Sequence, residues 1–203
     1  MPATVIPLTE PHLSAATQML IRAFAGDPGL LFVLPDAADR ARLSERLAEA
    51  ALRYTLRCGA PLATAGEVHG VALWFPPDGP APAAADFAET GIAAVPDLLG
   101  AAAWARFARL ITHLDALHPV FAPEPHWYLA VLGTDPAWQR QGIGTALMEP
   151  VFAQADRAGV CCYLEAPTAE NARYYANRGF QVVGETDVPD SNVHIWLMRR
   201  EPV

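Results

Sequence analysis

Apolar residues recur along this chain with two periods, and the places where the period changes divide it into elements. Thr4 to Leu8 alternates as a short strand, after which Leu13, Ala16, Met19, Leu20 and Phe24 return at helical spacing and predict an amphipathic helix. Gly26-Asp27-Pro28-Gly29 stops it. A second helix is predicted from about Ala38 to Leu56, where Leu43, Leu47, Ala50, Leu52 and Leu56 stand between charges and Cys58-Gly59 marks the end. Leu62 to Ala65 and Val68 to Phe75 flank Gly66-Glu67 and predict a hairpin whose second run is apolar enough to be a buried strand.

From Pro76 to Pro125 the composition changes. Proline and alanine cluster at Pro76 to Ala85, followed by predicted helical stretches at Phe87 to Ala94 and Pro96 to Leu117. Trp104, Phe107, Leu110, Ile111 and Leu114 sit at helical spacing, so this stretch is expected to pack over a face of the sheet as a helical insert in a single domain of residues 1–203. The last third is the most legible. His126 to Thr134 reads as a strand, Ile143, Ala146, Leu147, Val151 and Phe152 as a helix running to Gly159, and Val160 to Leu164 as a strand. Strand, crossover helix and strand in that order predict a parallel pair. A short helix at Thr168 to Asn177 and strands at Phe180 to Val183 and Val193 to Met198 complete the chain.

Charge and rare residues then exclude several chemistries. The 22 acidic residues outnumber 14 basic ones for a net charge of -8, with no run of like charge, so nucleic acid is not expected as a partner. Every basic residue is arginine, which removes a P-loop lysine and a Schiff-base lysine. Ser14, Ser44 and Ser191 are the only serines, and none sits in a nucleophile elbow. Cys58, Cys161 and Cys162 carry no Cys-x-x-Cys spacing, so no disulfide framework and no metal site is signalled, and a reducing cytoplasm is the expected setting. No apolar run is long enough to cross a membrane.

The segment that carries chemistry is Gln139-Arg140-Gln141-Gly142-Ile143-Gly144-Thr145, placed between a strand end and the first turn of a helix. Unpaired N–H groups and the positive end of the helix dipole point outward there, and two glycines let backbone approach a ligand, which makes a cradle for a pyrophosphate. Leu147 occupies the place of the third glycine of a dinucleotide fingerprint, which disfavours a nicotinamide cofactor.

Gln139-x-x-Gly142-x-Gly144 after an apolar strand, followed by Asn171-x-x-x-Tyr175-x-x-x-Gly179-Phe180, resembles the Gcn5-related N-acetyltransferase (GNAT) family. Val71-Ala72-Leu73-Trp74, Leu164-Glu165-Ala166, Val188-Pro189-Asp190 and Trp196-x-Met198 resemble its puromycin N-acetyltransferase branch. The resemblance implies an α/β (α+β mixed sheet) fold splayed between two parallel strands, here His126 to Thr134 and Val160 to Leu164, with acetyl-CoA in the gap. It implies that backbone groups of Leu132, Gly133 and Thr134 bond the pantetheine arm, that Gln139, Arg140, Gln141, Gly142, Ile143, Gly144 and Thr145 hold the pyrophosphate, and that Asn171 lies nearby.

Acetyl transfer to an amine needs a neutral nucleophile, a stabilised oxyanion and a proton for the departing thiolate. A backbone N–H near Val131 or Leu132 and the Tyr175 hydroxyl match the family's positions for the second and third tasks, and Glu165 is the candidate to deprotonate the amine. Trp74, Phe24, Tyr128, Tyr54 and Trp127 are candidates for an aromatic acceptor pocket, and Asp27 for attracting its cation. The expected activity is direct transfer to a primary amine of a small molecule such as an aminonucleoside. Acetylation of a protein or peptide amine and a non-catalytic acyl-CoA-binding domain are the alternatives. Homodimers are common in the family.

Overall fold

The computed structural model describes residues 3–79 and 82–203. The proline and alanine cluster expected at 76–85 therefore lies partly outside the described residues, as do the first two residues of the expected domain. Seven strands form one mixed sheet in the order β1-β2-β3-β4-β5-β7-β6. They are β1 (Val5–Pro7), β2 (Leu62–Thr64), β3 (Gly70–Phe75), β4 (His126–Thr134), β5 (Cys161–Ala166), β6 (Gln181–Asp187) and β7 (His194–Arg200). The helices are α1 (Leu13–Ala23), α2 (Pro28–Val33), α3 (Ala37–Cys58), α4 (Ala84–Glu89), α5 (Val95–Phe121), α6 (Ile143–Ala158) and α7 (Ala169–Ala176).

Three helices, not two, follow β1. The Gly26-Asp27-Pro28 stop also starts α2, because the Asp27 side chain accepts the Leu30 N–H at 2.8 Å and Pro28 occupies the first turn, where no N–H is needed. Asp36 caps α3 in the same way, accepting from Ala38 and Asp39. Between β3 and β4 the chain is helical, and α5 consists of two helical segments meeting at a kink at Gly100, whose φ of 71° would strain a residue with Cβ.

The sheet separates two apolar layers. On one face α6 and α7 bury Leu147, Met148, Val151, Ala172 and Tyr175 against Ala72, Trp74, Leu129, Cys162 and Leu164. On the other, α1 and α3 cover Val71 and Leu73, and the C-terminal part of α5 covers Tyr163, Ile195 and Leu197. Alternation along β5 sends Cys162, Leu164 and Ala166 to the α6 face and leaves Tyr163 and Glu165 for the α5 side.

β4 pairs with β3 from Tyr128 to Thr134, yet with β5 only at His126–Tyr128 against Cys161–Tyr163. The register with β3 slips so that Leu73 faces Val131 and Trp74 faces Leu129, leaving Ala130 without an opposite residue. Such a bulge bends the strand and raises its twist. It also reverses the alternation: Leu129 packs beneath α6, whereas Val131 joins the α1 and α3 side. Past Tyr128 the β5 side of β4 is open.

Candidate functional site: a gap between two parallel strands

Both walls of the opening follow from local sequence. At the α6 face its rim is a groove of about 580 Å³ lined by Leu132 and Thr134 of β4, by Gln139, Arg140 and Gly142 to Gly144 but not the expected Gln141, and by Asn171, Tyr174, Tyr175 and Arg178 around α7. Gly142 is the N-cap of α6 with φ 84°, no side chain caps the helix, and its first turn carries no acidic residue. The first amides of a sixteen-residue helix are thus left for a ligand, and the helix dipole favours an anion. Arg140 adds a positive side chain and itself has φ 60°, a conformation unusual for a residue with Cβ.

The glycines do different jobs. A Cβ on Gly144 would collide with the Tyr174 hydroxyl, so this glycine lets Tyr174 stand against the start of α6. A Cβ on Gly133 would come within 2.7 Å of Leu20 and 3.2 Å of Phe24, so that glycine admits α1 and not a ligand. Its backbone still belongs to the open edge of β4. The Gln139 side chain turns back to donate to the Thr134 carbonyl at 3.3 Å, which ties the loop to the strand. Arg178, which sequence reasoning missed, donates to the Thr145 hydroxyl at 2.8 Å and lies 3.5 Å over the Tyr174 ring. It thereby joins α6 to α7 across the groove. Its signal was its place one helical turn after Tyr174.

Tyr175 lines the same groove from within the α6-side core, in contact with Phe180 and Tyr174. Burial pushes its hydroxyl above the ordinary phenol value, so it holds its proton throughout the neutral range. Cys161 and Cys162 are buried, and burial raises both thiols, Cys162 to about 12. Neither is a thiolate near neutrality.

On the opposite face the opening meets Glu165. Its side chain is 8% exposed, its Oε2 accepts the Tyr128 hydroxyl at 2.8 Å, and its Oε1 has no hydrogen-bond partner. Burial raises this carboxyl to about 7, against the lowering pull of the Tyr128 and Tyr163 phenols and with Asp115 adding to the rise. His118 Nδ1 lies 3.7 Å from Oε1. Sequence reasoning missed Asp115 and His118 because they lie on the insert helix. The available sign was polarity interrupting the Leu110, Leu114 and Leu117 stripe that faces the sheet. Ile111, expected to pack, is 38% exposed on the far side of α5.

The aromatic acceptor candidates divide. Trp74 is completely buried on the α6 face, edge-on to Trp127 and Phe152, so it is core and forms no pocket wall. Tyr128 contacts Glu165, as above, and Tyr54 stacks with Phe87 of α4. Phe24 and Asp27 line a cavity of about 270 Å³ between α1, α2, α3 and α5, which Val131 of β4 closes from below. Apart from Asp27 and Ser44 its walls are apolar. Asp27 is raised above the usual carboxylate range by burial while its amide partners Leu30 and Gly29 hold it down.

Residues 99–182 match the family described as acetyltransferase (GNAT) domain. Similar solved structures include a histone acetyltransferase HPA2 and related acetyltransferase from Corynebacterium glutamicum, 26% identical, covering 100% of this chain and 98% of that one with TM-score 0.71. Arylalkylamine N-acetyltransferase 2 from Aedes aegypti is 15% identical, covering 98% of each chain at TM-score 0.66. The Drosophila melanogaster polyamine N-acetyltransferase is 14% identical, covering 98% of this chain and 99% of that one at TM-score 0.62. The chain shares the fold of these acetyltransferases and matches the GNAT acetyltransferase domain over residues 99–182. It is an acetyl-CoA-dependent N-acetyltransferase, with acetyl-CoA as the acyl donor.

Proposed function

We propose that this enzyme acetylates the primary amine of a small molecule directly, with both substrates bound at once and meeting in the gap between β4 and β5. One observation carries the reading: an uncapped helix terminus opens on one face of the sheet, and a buried carboxyl with a free oxygen stands at the other. Acetyl-CoA would supply the acetyl group as a thioester. Its pyrophosphate suits the amides of Ile143, Gly144 and Thr145 with Arg140, and its pantetheine suits the open edge of Leu132, Gly133 and Thr134 beside Asn171. Amides of Val131 and Leu132 would polarise the thioester oxygen.

Glu165, raised to about 7, takes a proton from the amine at physiological pH, which a carboxylate of ordinary pKa does poorly. Tyr175 keeps its proton and supplies it to the sulfur as it departs. Its neighbour Tyr174 stands at the α6 terminus, against Gly144, and suits the phosphate end instead. The cavity of about 270 Å³ beside Val131 suits an apolar group carried by the amine. Its size and its cover of four helices favour a small acceptor over a protein side chain on a folded surface. An aminonucleoside and an arylalkylamine both fit that description. The test is release of free thiol from acetyl-CoA across a panel of amines with apolar tails. Release with small amines and none with peptides is expected, and no amine-dependent release would overturn the proposal.

A further inference from the structure

If Glu165 receives a proton in every turnover, as proposed above, that proton must leave a site sealed by Tyr128, Tyr163 and α5. The hydrogen bonds around it point to a route. His126 Nδ1 lies 2.7 Å from the Glu124 carbonyl oxygen, which only accepts, so this nitrogen carries hydrogen. His126 Nε2 lies 2.7 Å from His118 Nε2, so one of these two nitrogens donates and the other is bare. The remaining nitrogen of His118, Nδ1, faces the partnerless Oε1 of Glu165 at 3.7 Å. That gap is longer than a hydrogen bond, as catalytic contacts often are before substrate binds.

We propose that His118 and His126 form a two-imidazole path by which Glu165 passes its proton to solvent. Two arrangements of the same protons satisfy these contacts. In the first, Glu165 carries hydrogen on Oε1, His118 carries it on Nε2, and His126 accepts at Nε2. In the second, Glu165 is a carboxylate, His118 carries hydrogen on Nδ1, and His126 is an imidazolium. Conversion breaks the Glu165 O–H and His118 Nε2–H bonds and makes the His118 Nδ1–H and His126 Nε2–H bonds. Net charge is zero in both, and no co-reactant is required. The imidazolium then loses a proton to water, and His118, which also borders the open cavity, regains its starting tautomer by giving its Nδ1 proton to water and taking one up at Nε2.

The surroundings suit each member to its task. Burial, and then His126, hold His118 down at about 4, so it passes a proton on without keeping it. His126 and His118 both line an open cavity of about 440 Å³ with Tyr128, Pro76, Pro125 and Glu124, where water can take the proton. The charged and titratable groups facing the path are Tyr128 on β4, Tyr163 on β5, Asp115 on α5 and Glu124, which Arg199 pairs at 2.9 Å. Among these, the carboxylates of Asp115 and Glu124 supply negative charge that favours a proton on the path.

The test compares Glu165→Gln, His118→Gln, His126→Gln and His126→Ala in steady-state acetylation of a primary amine between pH 5.5 and 8.5, with and without added imidazole. The expected result is a kcat at least about tenfold lower in each histidine variant, with an altered pH profile and an unchanged KM for acetyl-CoA. Imidazole entering the open cavity should restore His126→Ala, which leaves room for it, but not His118→Gln, whose side chain fills the vacated place. His126→Gln keeps a hydrogen-bonding side chain but carries no proton, so it serves if the alanine variant fails to fold. Wild-type kcat and pH profile in the variants of either histidine, or a loss that imidazole leaves unrestored in His126→Ala, overturns the path. Full activity in Glu165→Gln would instead overturn Glu165 as the base.

Discussion

The Tyr128 hydroxyl donates a 2.8 Å hydrogen bond to Oε2 of Glu165 just beyond the last paired residues of β4 and β5. The bond couples the mouth of the gap to a carboxyl that burial raises to about 7. It steadies the ionised form, but burial outweighs it and Glu165 holds its proton up to about pH 7.

Glu165→Gln should therefore separate stability from activity. A folded-state pKa of about 7 against 4.5 means that the folded chain retains a proton the unfolded chain has lost, so stability is full below about pH 4.5 and falls as pH rises through 7. The loss by pH 8 is about 3 kcal/mol, and the neutral glutamine should escape most of it. Denaturant unfolding at pH 5 and pH 8 measures this. In acetylation the same variant should lose about 10²-fold or more in kcat, the contribution of a positioned base.

Tyr175→Phe removes a buried hydroxyl while keeping the ring against Phe180. It should lower kcat by about 10²-fold and leave acetyl-CoA affinity within about twofold of wild type. Tyr174→Phe should do the reverse, weakening acetyl-CoA more than it slows turnover. Stopped-flow turnover with isothermal titration of acetyl-CoA separates the two.

Much of the cofactor side was legible because its chemistry is local. Gly142 and Gly144 mark a helix start whatever the rest of the chain does, and His126 to Thr134 was bounded as the strand β4 from its residues alone. The acceptor side is built from distant segments. Trp74 sits in a strand buried on both faces, where composition gives no clue to direction, and the bulge at Ala130 reverses the alternation that would have been counted along β4. Asp27 was visible as a loop residue, while its second role as the cap of α2 needed the geometry of the following turn. His118 and Glu165 meet across 47 residues only because α5 folds back over β5.

Gly142→Asp tests the anion cradle. An aspartate at an N-cap can satisfy helix amides, so the fold should survive, although the positive φ costs about 1 kcal/mol. The added carboxylate would occupy the place of the pyrophosphate, and acetyl-CoA binding should weaken at least about tenfold. Circular dichroism and calorimetric titration on the same sample report both.

Filling the acceptor cavity should act on one substrate alone. Ala48 lines that cavity from α3. Ala48→Phe is expected to raise the KM for amines with apolar tails about tenfold, equivalent to ~1.4 kcal/mol, and leave the KM for acetyl-CoA unchanged. Short alkylamines, which would not reach the cavity, should be affected less.

Amide hydrogen exchange with and without acetyl-CoA puts the central claim to the most direct test. Protection should rise in peptides spanning residues 129–134 of β4 and 142–146 at the start of α6, the two stretches whose backbone groups border the gap. If saturating acetyl-CoA protects neither stretch, or protects only segments remote from both, the donor does not bind between these strands.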